Sequence, residues 1–373
     1  MRTRKQEPYR HAERLAEPLR LLPEWYRSNC RTLPWRGTGD PYDVWISEIM
    51  LQQTRVAAAK EYFIRFKKEI PDVRHLAEVS VERLLKLWEG LGYYSRPRNM
   101  KRAAELIVRD YDGKIPEDPE VLRSLPGIGS YTAGAISSIA YGVPEPAVDG
   151  NVLRVCSRIS GNDSDIGLAA TKRTLEDAIR GIMKAGSADP GDLNQALMEL
   201  GAIVCVPNGE PLCPECPVRN LCAAHQCGRT DTLPVKAPKK KRRIEKKTLL
   251  LIENGGRYLI RRRPDEGLLA GLWEFPSVDG FVKEEDALRA ATALLTEEAE
   301  PLYIEKMPEA KHIFTHVEWR MRAYRIRLAD PSGGVRAAFD GETMRFADAE
   351  EMRSRYPLPS AFAAYRDPIR EQV

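Results

Sequence analysis

Four cysteines, Cys205, Cys213, Cys216 and Cys222, fall within 18 residues in the run CVPNGEPLCPECPVRNLC, with the spacing C-x7-C-x2-C-x5-C. Thiols this close together are constrained to converge on one centre. Four thiolates suit a tetrahedral zinc ion or a four-iron cluster. Pro207, Pro211, Pro214 and Pro217 stiffen the loop, which favours a fixed cage over a mobile redox pair. The plainer reading is unpaired thiols on a surface loop. Cys30, Cys156 and Cys227 are scattered, and the start MRTRKQEPYRHAERL has no apolar signal core, so a reducing cytoplasm and a metal-type cluster fit better than disulfides.

Upstream of the cage lie carboxyl groups in two contrasting settings. Glu48, in WISEIMLQQT, has Trp45, Ile46, Ile49, Met50 and Leu51 as neighbours. Burial there would raise its pKa and make it a candidate general acid; the alternative is an exposed helical Glu. Asp149 lies in VPEPAVDGNVLRV, where Pro144 and Pro146 fix the approach and Gly150 frees the exit. Asp149 and Asn151 read as caps of a helix starting near Val152. A capping carboxylate could also stabilise positive charge on a sugar.

Between them, LPGIGSYTAGAI spans Leu125 to Ile136. Gly127 and Gly129 allow backbone conformations closed to other residues and open directly into a helix, an arrangement whose exposed N–H groups can bind an anion. An L-P-G-x-G turn between helices is the hairpin of helix-hairpin-helix proteins, which grips a DNA phosphate through backbone amides; an ordinary helix–helix turn is the competing reading. LGYYSRPRN (91–99) places two tyrosines and two arginines in a predicted loop, and Gln52, Gln53 and Thr54 add uncharged hydrogen-bonding groups. Both segments suit a DNA minor groove, although tyrosines near helix ends more often pack at the edge of a core.

These groups need a scaffold, and residues from about 10 to 225 read as mostly helical. VWISEIMLQQTRVAAAKEYFIRFKK has helical periodicity and no Gly or Pro, which predicts one continuous helix. Ser80 reads as the N-cap of VERLLKLWEG, with Gly90 and Gly92 ending that helix, and Asp118–Pro119 as an N-cap with Pro at the first helical position. SYTAGAISSIAY is a small-residue helix suited to close packing. After the cage the pattern changes. Asn254–Gly255–Gly256 separates two apolar runs, a hairpin signal, and RMRAYRIRL (320–328) alternates like a strand.

The expected organisation is therefore multidomain: a mostly α domain over 10–227 containing the cysteine loop at 205–222, a basic linker at 228–247, and an α+β domain over 248–373. The run KAPKKKRRIEKK carries eight Lys or Arg against one Glu, a solvated linker that could also touch phosphates. The net charge of +4 is too mild to imply nucleic acid by itself. Apolar content of 43% and charged content of 30% are ordinary for a soluble globular chain, no run of about 18 apolar residues predicts a membrane span, and there is no solenoid-type repeat.

Taken together, LPWR, WISEIMLQQT, WEGLGYYSRPRN, LPGIGSYTAGAI, VPEPAVDGNVLRV, the cysteine run, GLLAGLWEFP and HIFTHVEW resemble the bacterial adenine DNA glycosylases of the MutY type, from about residue 20 to beyond residue 320. These are helix-hairpin-helix glycosylases with a Nudix-like C-terminal domain. The resemblance implies base excision repair: hydrolytic removal of undamaged adenine mispaired with 8-oxoguanine, or with guanine, in double-stranded DNA. It implies that Glu48 is the acid, Asp149 the transition-state carboxylate, and Tyr131 and Asn151 supporting active-site residues. It implies a [4Fe–4S] cluster on the four cysteines. It places Gln53, Thr54, Leu91, Tyr93, Gly127 and Gly129 at the DNA, and Phe314, Thr315 and His316 at the 8-oxoguanine. A monomer in the cytoplasm, associated with the nucleoid and with no membrane contact, is expected. An endonuclease III-like glycosylase/lyase is the nearest alternative, but its Schiff-base chemistry needs a lysine where this chain has Tyr131. A non-catalytic DNA-damage binder is the alternative of another class.

Three departures stand out. The first cysteine gap is one residue longer than the family's usual one. Thr315 stands where Ser is expected. The acidic segment that binds metal in Nudix hydrolases is not supplied by DALRAATALLTEEAE, so no metal-dependent diphosphatase activity is expected.

Overall fold

The computed structural model describes residues 9–186, 188–238, 242–295, 301–329 and 343–371. These form two compact units: residues 1–78 with 99–238, and residues 79–98 with 239–373. The expected boundaries change accordingly. The segment 79–98, expected inside the helical domain, folds with the C-terminal unit. The expected linker is shorter than 228–247, because pairing with a neighbouring strand already begins at Arg243. Its earlier part is tied down: Leu233 is buried, and Ile166 N donates to Val235 O. Lys239–Lys241 of the basic run, Thr296–Glu300 of the acidic stretch and residues 1–8 lie outside the described residues.

The first unit is helical. Its helices are α1 (Ala16–Asn29), α2 (Pro41–Leu51), α3 (Val56–Glu69), α4 (Val73–Glu78), α6 (Ser95–Tyr111, which begins in the other unit), α7 (Pro119–Ser124), α8 (Ser130–Tyr141), α9 (Gly150–Ser160), α10 (Ala169–Lys184), α11 (Pro190–Ile203) and the short α12 (Ala223–Gln226). Helix α5 (Val81–Leu87) belongs to the second unit. No helix among the described residues is long and apolar enough to cross a membrane.

Several local signals act as expected. Ser80, Asp118 and Asp149 each accept backbone N–H groups at a helix start, and Asp40 and Asp189, which the sequence reading did not single out, do the same. The predicted long helix over 44–68 does not form as one piece. It breaks at 52–55, where Gln53 adopts φ 59°, and resumes as α3. The loop predicted at 91–99 ends early, since Ser95 already starts α6.

Helix α2 is buried along nearly its whole length, from Tyr42 to Met50, as expected of a helix packed on all sides. It packs on α8, which in turn contacts α11. The small residues of α8 make this possible. A Cβ on Gly134 would sit 2.3 Å from Pro146 O, so the Val143–Val148 segment lies directly against the helix. Asn194 of α11 secures that segment, accepting from Ala147 N at 3.0 Å and donating to Glu145 O at 2.9 Å and Ser138 Oγ at 2.8 Å.

Among its described residues the second unit contains a seven-stranded mixed sheet: β1 (Arg243–Asn254), β2 (Arg257–Arg262), β3 (Trp273–Glu274), β4 (Ser277–Asp279), β5 (Pro301–Ile313), β6 (Val317–Leu328) and β7 (Met344–Ala347). The order is β3-β2-β1-β6-β5, with β4 on β1 and β7 on β2; β1 and β6 run parallel. Gly255 and Gly256, at φ 54° and 78°, turn the β1–β2 hairpin, as a two-residue turn of mirror type requires. α13 (Glu284–Thr292) joins one apolar cluster with the sheet, and α14 (Ala349–Ser354) and α15 (Ala363–Arg370) join the other.

Gly134→Val should cost about 1–3 kcal/mol through overpacking and displace the segment leading to Asp149. Thermal unfolding with a parallel activity assay checks this; an unchanged melting temperature contradicts the close approach.

Candidate active site

Helix α2 carries Glu48 into the interior, where its residue is 7% exposed. Withdrawal from water pushes its carboxyl up to about 7, and the Asp149 charge adds to this, while a hydrogen bond from Tyr131 pulls the other way. Tyr131, in the first turn of α8, donates its hydroxyl to Glu48 Oε2 at 2.5 Å. Burial, and then the Glu48 carboxyl, push the Tyr131 phenol well above its usual value, so it remains a donor.

Asp149 is the N-cap of α9, and the capping geometry holds both of its carboxylate oxygens in place. Its Oδ1 accepts from Asn151 N at 2.9 Å and Val152 N at 2.8 Å, and its Oδ2 accepts from Asn151 Nδ2 at 2.9 Å. The polar backbone does not hold this carboxyl down. Burial outweighs the three N–H donors, and the pKa is raised. The Asn151 amide is fixed from behind by Arg154 Nη2 on its Oδ1 at 2.9 Å.

Glu48, Tyr131, Asp149 and Asn151 all line one cavity of about 330 Å³. Gln53 and Thr54 line it too; Gln53 is exposed, and Thr54 Oγ1 is buried with no hydrogen-bond partner among the described residues. Sequence reasoning missed a third acidic group on the wall. Glu199, on α11, is fully buried, and its carboxylate takes Arg31 Nε at 2.7 Å, Arg31 Nη2 at 2.9 Å and Arg36 Nη2 at 2.5 Å. Burial pushes this carboxyl up, but the two arginines prevail and hold it at about 2. The signal was the one that exposed Glu48: an acid set among apolar residues, here Leu197, Met198 and Leu200, with LPWR supplying one of the cations.

The glycine hairpin lies before α8. Gly127 adopts φ 78°, and a Cβ there would meet Asn99 Cβ at 2.6 Å. Gly129 is different from expectation. Its φ of −93° is open to any residue, and a Cβ there would project into open space, so it keeps a surface unobstructed rather than enabling a turn.

In the second unit, Tyr93 is exposed and, like Gln53, holds a left-handed backbone, with φ 48°. Leu91, expected at a DNA surface, is only 7% exposed. Phe314, Thr315 and His316 form the tip of the β5–β6 hairpin, closed by Phe314 N on Val317 O at 2.8 Å. Phe314 packs edge-on against Trp319 at 4.9 Å between ring centroids, so it props the tip from inside. Thr315 and His316 are exposed, and Thr315 Oγ1 lies 2.6 Å from the Tyr93 hydroxyl.

The four clustered cysteines line a separate cavity with Arg158 and Arg219. Arg158 Nη1 is 3.3 Å from Cys205 Sγ, and Arg154 Nε donates to Cys205 O at 2.9 Å. Burial raises the thiol pKa of Cys213, Cys216 and Cys222, so binding a cationic group there would release protons. Among the described residues no three His, Cys, Asp or Glu side chains have the geometry to hold a single metal ion. The donor set nevertheless fits a larger soft-metal group, since all four cysteines line this one cavity.

Replacing Glu199 by Gln should lower stability by about 3 kcal/mol at neutral pH, because two arginines lose a buried partner. The folded carboxyl sits below its ordinary 4.5. Its contribution is therefore complete above about pH 4.5 and is lost as the pH falls toward about 2. Denaturant unfolding of both proteins across that range should show the gap closing with acid; a constant gap would contradict the ion-pair assignment.

Residues 46–181 match the HhH-GPD superfamily of base excision DNA repair proteins, and residues 248–367 match the NUDIX domain. The adenine DNA glycosylase of Mus musculus is 36% identical over 362 residues, covering 82% of this chain and 70% of the relative. That of Buchnera aphidicola subsp. Acyrthosiphon pisum (strain APS) is 33% identical over 269 residues, covering 72% and 75%. A thermostable thymine-DNA glycosylase of known structure superimposes with a TM-score of 0.50 at 24% identity, over 58% of this chain and 98% of that one, a likeness of fold alone. With the two family matches and the 36% identity to a named adenine DNA glycosylase over 82% of its length, the chain belongs to the adenine DNA glycosylase family, of the MutY type.

Proposed function

We propose that the protein is a base excision repair glycosylase that hydrolyses the N-glycosidic bond of adenine paired with 8-oxoguanine, and with guanine, in double-stranded DNA. The observation that carries this reading is one cavity in which Glu48, with a pKa near 7, faces Asp149, held by three N–H donors.

Adenine within a duplex is out of reach, so it is flipped out at an unstacking cost of a few kcal/mol. Gln53, Thr54 and Tyr93 occupy the gap, and the amides of the Gly127–Gly129 turn hold a backbone phosphate. Protonated Glu48 gives its proton to adenine N7, so the base leaves neutral as the bond to C1′ breaks. Tyr131 occupies Oε2, which leaves the other Glu48 oxygen to carry that proton. The Asp149 carboxylate stabilises the positive charge on the sugar. Glu48, now ionised, takes a proton from water as its oxygen bonds to C1′, which restores the acid. Asn151 keeps Asp149 oriented. Tyr131 supplies no amine, so the bond is hydrolysed without strand cleavage.

The C-terminal unit reads the opposite base. Thr315 Oγ1 has two lone pairs and can accept both from Tyr93 and from the N7–H that 8-oxoguanine has and guanine lacks. His316 reaches phosphate or base edge, and Phe314 supports the tip. Cys205, Cys213, Cys216 and Cys222 would hold a [4Fe–4S] cluster, which supplies a rigid four-point tie for the loop. The protein acts as a monomer on nucleoid DNA in the cytoplasm.

Single-turnover assays on duplexes bearing A:8-oxoguanine, A:G or thymine glycol test this reading. Release of adenine from the first two, with no borohydride-trapped product, is expected. Efficient trapping, or activity on thymine glycol alone, would return the chain to lyase chemistry.

Glu48→Gln should retain duplex binding and lose roughly 10²–10⁴-fold in base release. In the unaltered protein the rate should fall as pH rises through about 7, where Glu48 loses its proton. Tyr131→Phe removes a hydrogen bond that lowers that pKa, so the falling limb should move to higher pH. A pH profile insensitive to Tyr131 would detach this tyrosine from the acid.

A further inference from the structure

The turn carrying Tyr93 is gripped by the far end of the chain. Residues 79–98 lie inside the span that matches the HhH-GPD superfamily, yet they fold with residues 239–373. Just before the turn, Glu89 Oε1 pairs with Arg370 Nη2 at 2.8 Å and Arg366 Nη1 at 3.3 Å, both on α15, while Lys86 Nζ holds the other oxygen. These four side chains are only 11–16% exposed. Just after it, Arg98 Nη2 donates to Ala270 O at 2.8 Å. At its tip stands the Tyr93–Thr315 contact.

The grip is firm at both ends. Lys86 also donates to Met352 O at 3.0 Å, and Arg366 to Leu358 O at 2.6 Å, so neither cation is free to follow a moving Glu89. Exposed ion pairs contribute little; this carboxylate is only 11% exposed and is shared by three cations. The turn itself is a single fixed shape. Gly90, Gly92 and Tyr93 have φ of 102°, 69° and 48°, and Arg96 Nη2 donates to Leu91 O and Gly92 O at 3.0 Å each. A left-handed tyrosine costs roughly 1–2 kcal/mol and persists only where the surroundings over-determine it.

We propose that Glu89, through Arg366 and Arg370 of the last helix, is a positioning residue for the Tyr93 turn, so that the C-terminal end of the chain governs how readily a stacked pair is opened. The inference rests on the reading of the chain as a base-flipping adenine glycosylase. It locates the effect in opening and not in bond cleavage, since none of the three residues lines the cavity that holds Glu48.

The test uses the full chain with Glu89→Gln, Arg370→Gln and Arg370→Lys. Single-turnover release is compared on a fully stacked A:8-oxoguanine duplex and on the same pair beside a mispaired neighbour, where unstacking is already present. A 2-aminopurine next to the pair reports opening on binding, independently of excision. Glu89→Gln and Arg370→Gln should slow the stacked duplex about tenfold and blunt the fluorescence rise. The pre-unstacked duplex should stay within about twofold, and Arg370→Lys should restore most of the loss. If Glu89→Gln melts below the assay temperature, Arg370→Gln, which leaves Glu89 two cations, carries the test. Equal slowing on both duplexes, or no slowing on either at an unchanged melting temperature, overturns the proposal. Failure of the functional reading looks different: the unaltered protein would release no adenine from either duplex, while the fluorescence would still report opening.

Discussion

Taking a carboxyl group out of water is the constraint on which the rest of the helical unit depends. Glu48 lies on a helix buried from Tyr42 to Met50, and burial is the largest influence on its pKa. An ionised carboxylate there, with only a phenol as partner, is unfavourable, so the group holds its proton to about pH 7. The close approach at Gly134, the Asn194 staple and the Val143–Val148 segment against α8 together keep that interior closed on one side and open to a base-sized cavity on the other.

Three acidic side chains on one cavity wall receive three different treatments. Glu48 has one O–H donor and sits near 7; Glu199 has two guanidiniums and sits near 2. Each displacement from 4.5 is worth about 3 kcal/mol of preference for one protonation state. Asp149 has three N–H donors and still rises, because burial exceeds what neutral donors return. Separate environments, not residue type, set the three apart: an acid that keeps its proton to about pH 7, a fixed anion, and a carboxylate held in orientation by its own helix cap.

Much of this was legible in the sequence because the signals were local. The N-caps at Ser80, Asp118 and Asp149, the Asn254–Gly256 hairpin and the apolar surroundings of Glu48 depend on residues a few positions apart. The failures share one cause: they depend on partners far along the chain. The break at Gln52–Arg55 has no Gly or Pro to announce it. Glu199 gains its character from Arg31 and Arg36, more than 160 positions away. The exchange of residues 79–98 into the C-terminal unit is set by Glu89 with Arg366 and Arg370, over 270 positions on. Gly129 was over-read, since a glycine in a recognisable motif need not have a positive φ.

Helix α9 joins the two sites that the sequence presents separately. Its first turn holds Asp149, with Asn151 clamped on the carboxylate. One turn on, Arg154 fixes Asn151 Oδ1 and reaches Gly201 O at 2.8 Å and Cys205 O at 2.9 Å. One turn further, Arg158 meets Cys205 Sγ, Val206 O at 3.0 Å and Leu233 O at 2.9 Å. Residues four apart share a helix face, so two arginines at this interval present both guanidiniums to the same loop. Both are buried, and a buried guanidinium is tolerated only when its donors are satisfied. Here the cysteine loop supplies part of that satisfaction. The loop and the Asp149 cap are therefore mechanically one piece: displacing Cys205 would leave Arg154 short of an acceptor and loosen its hold on Asn151.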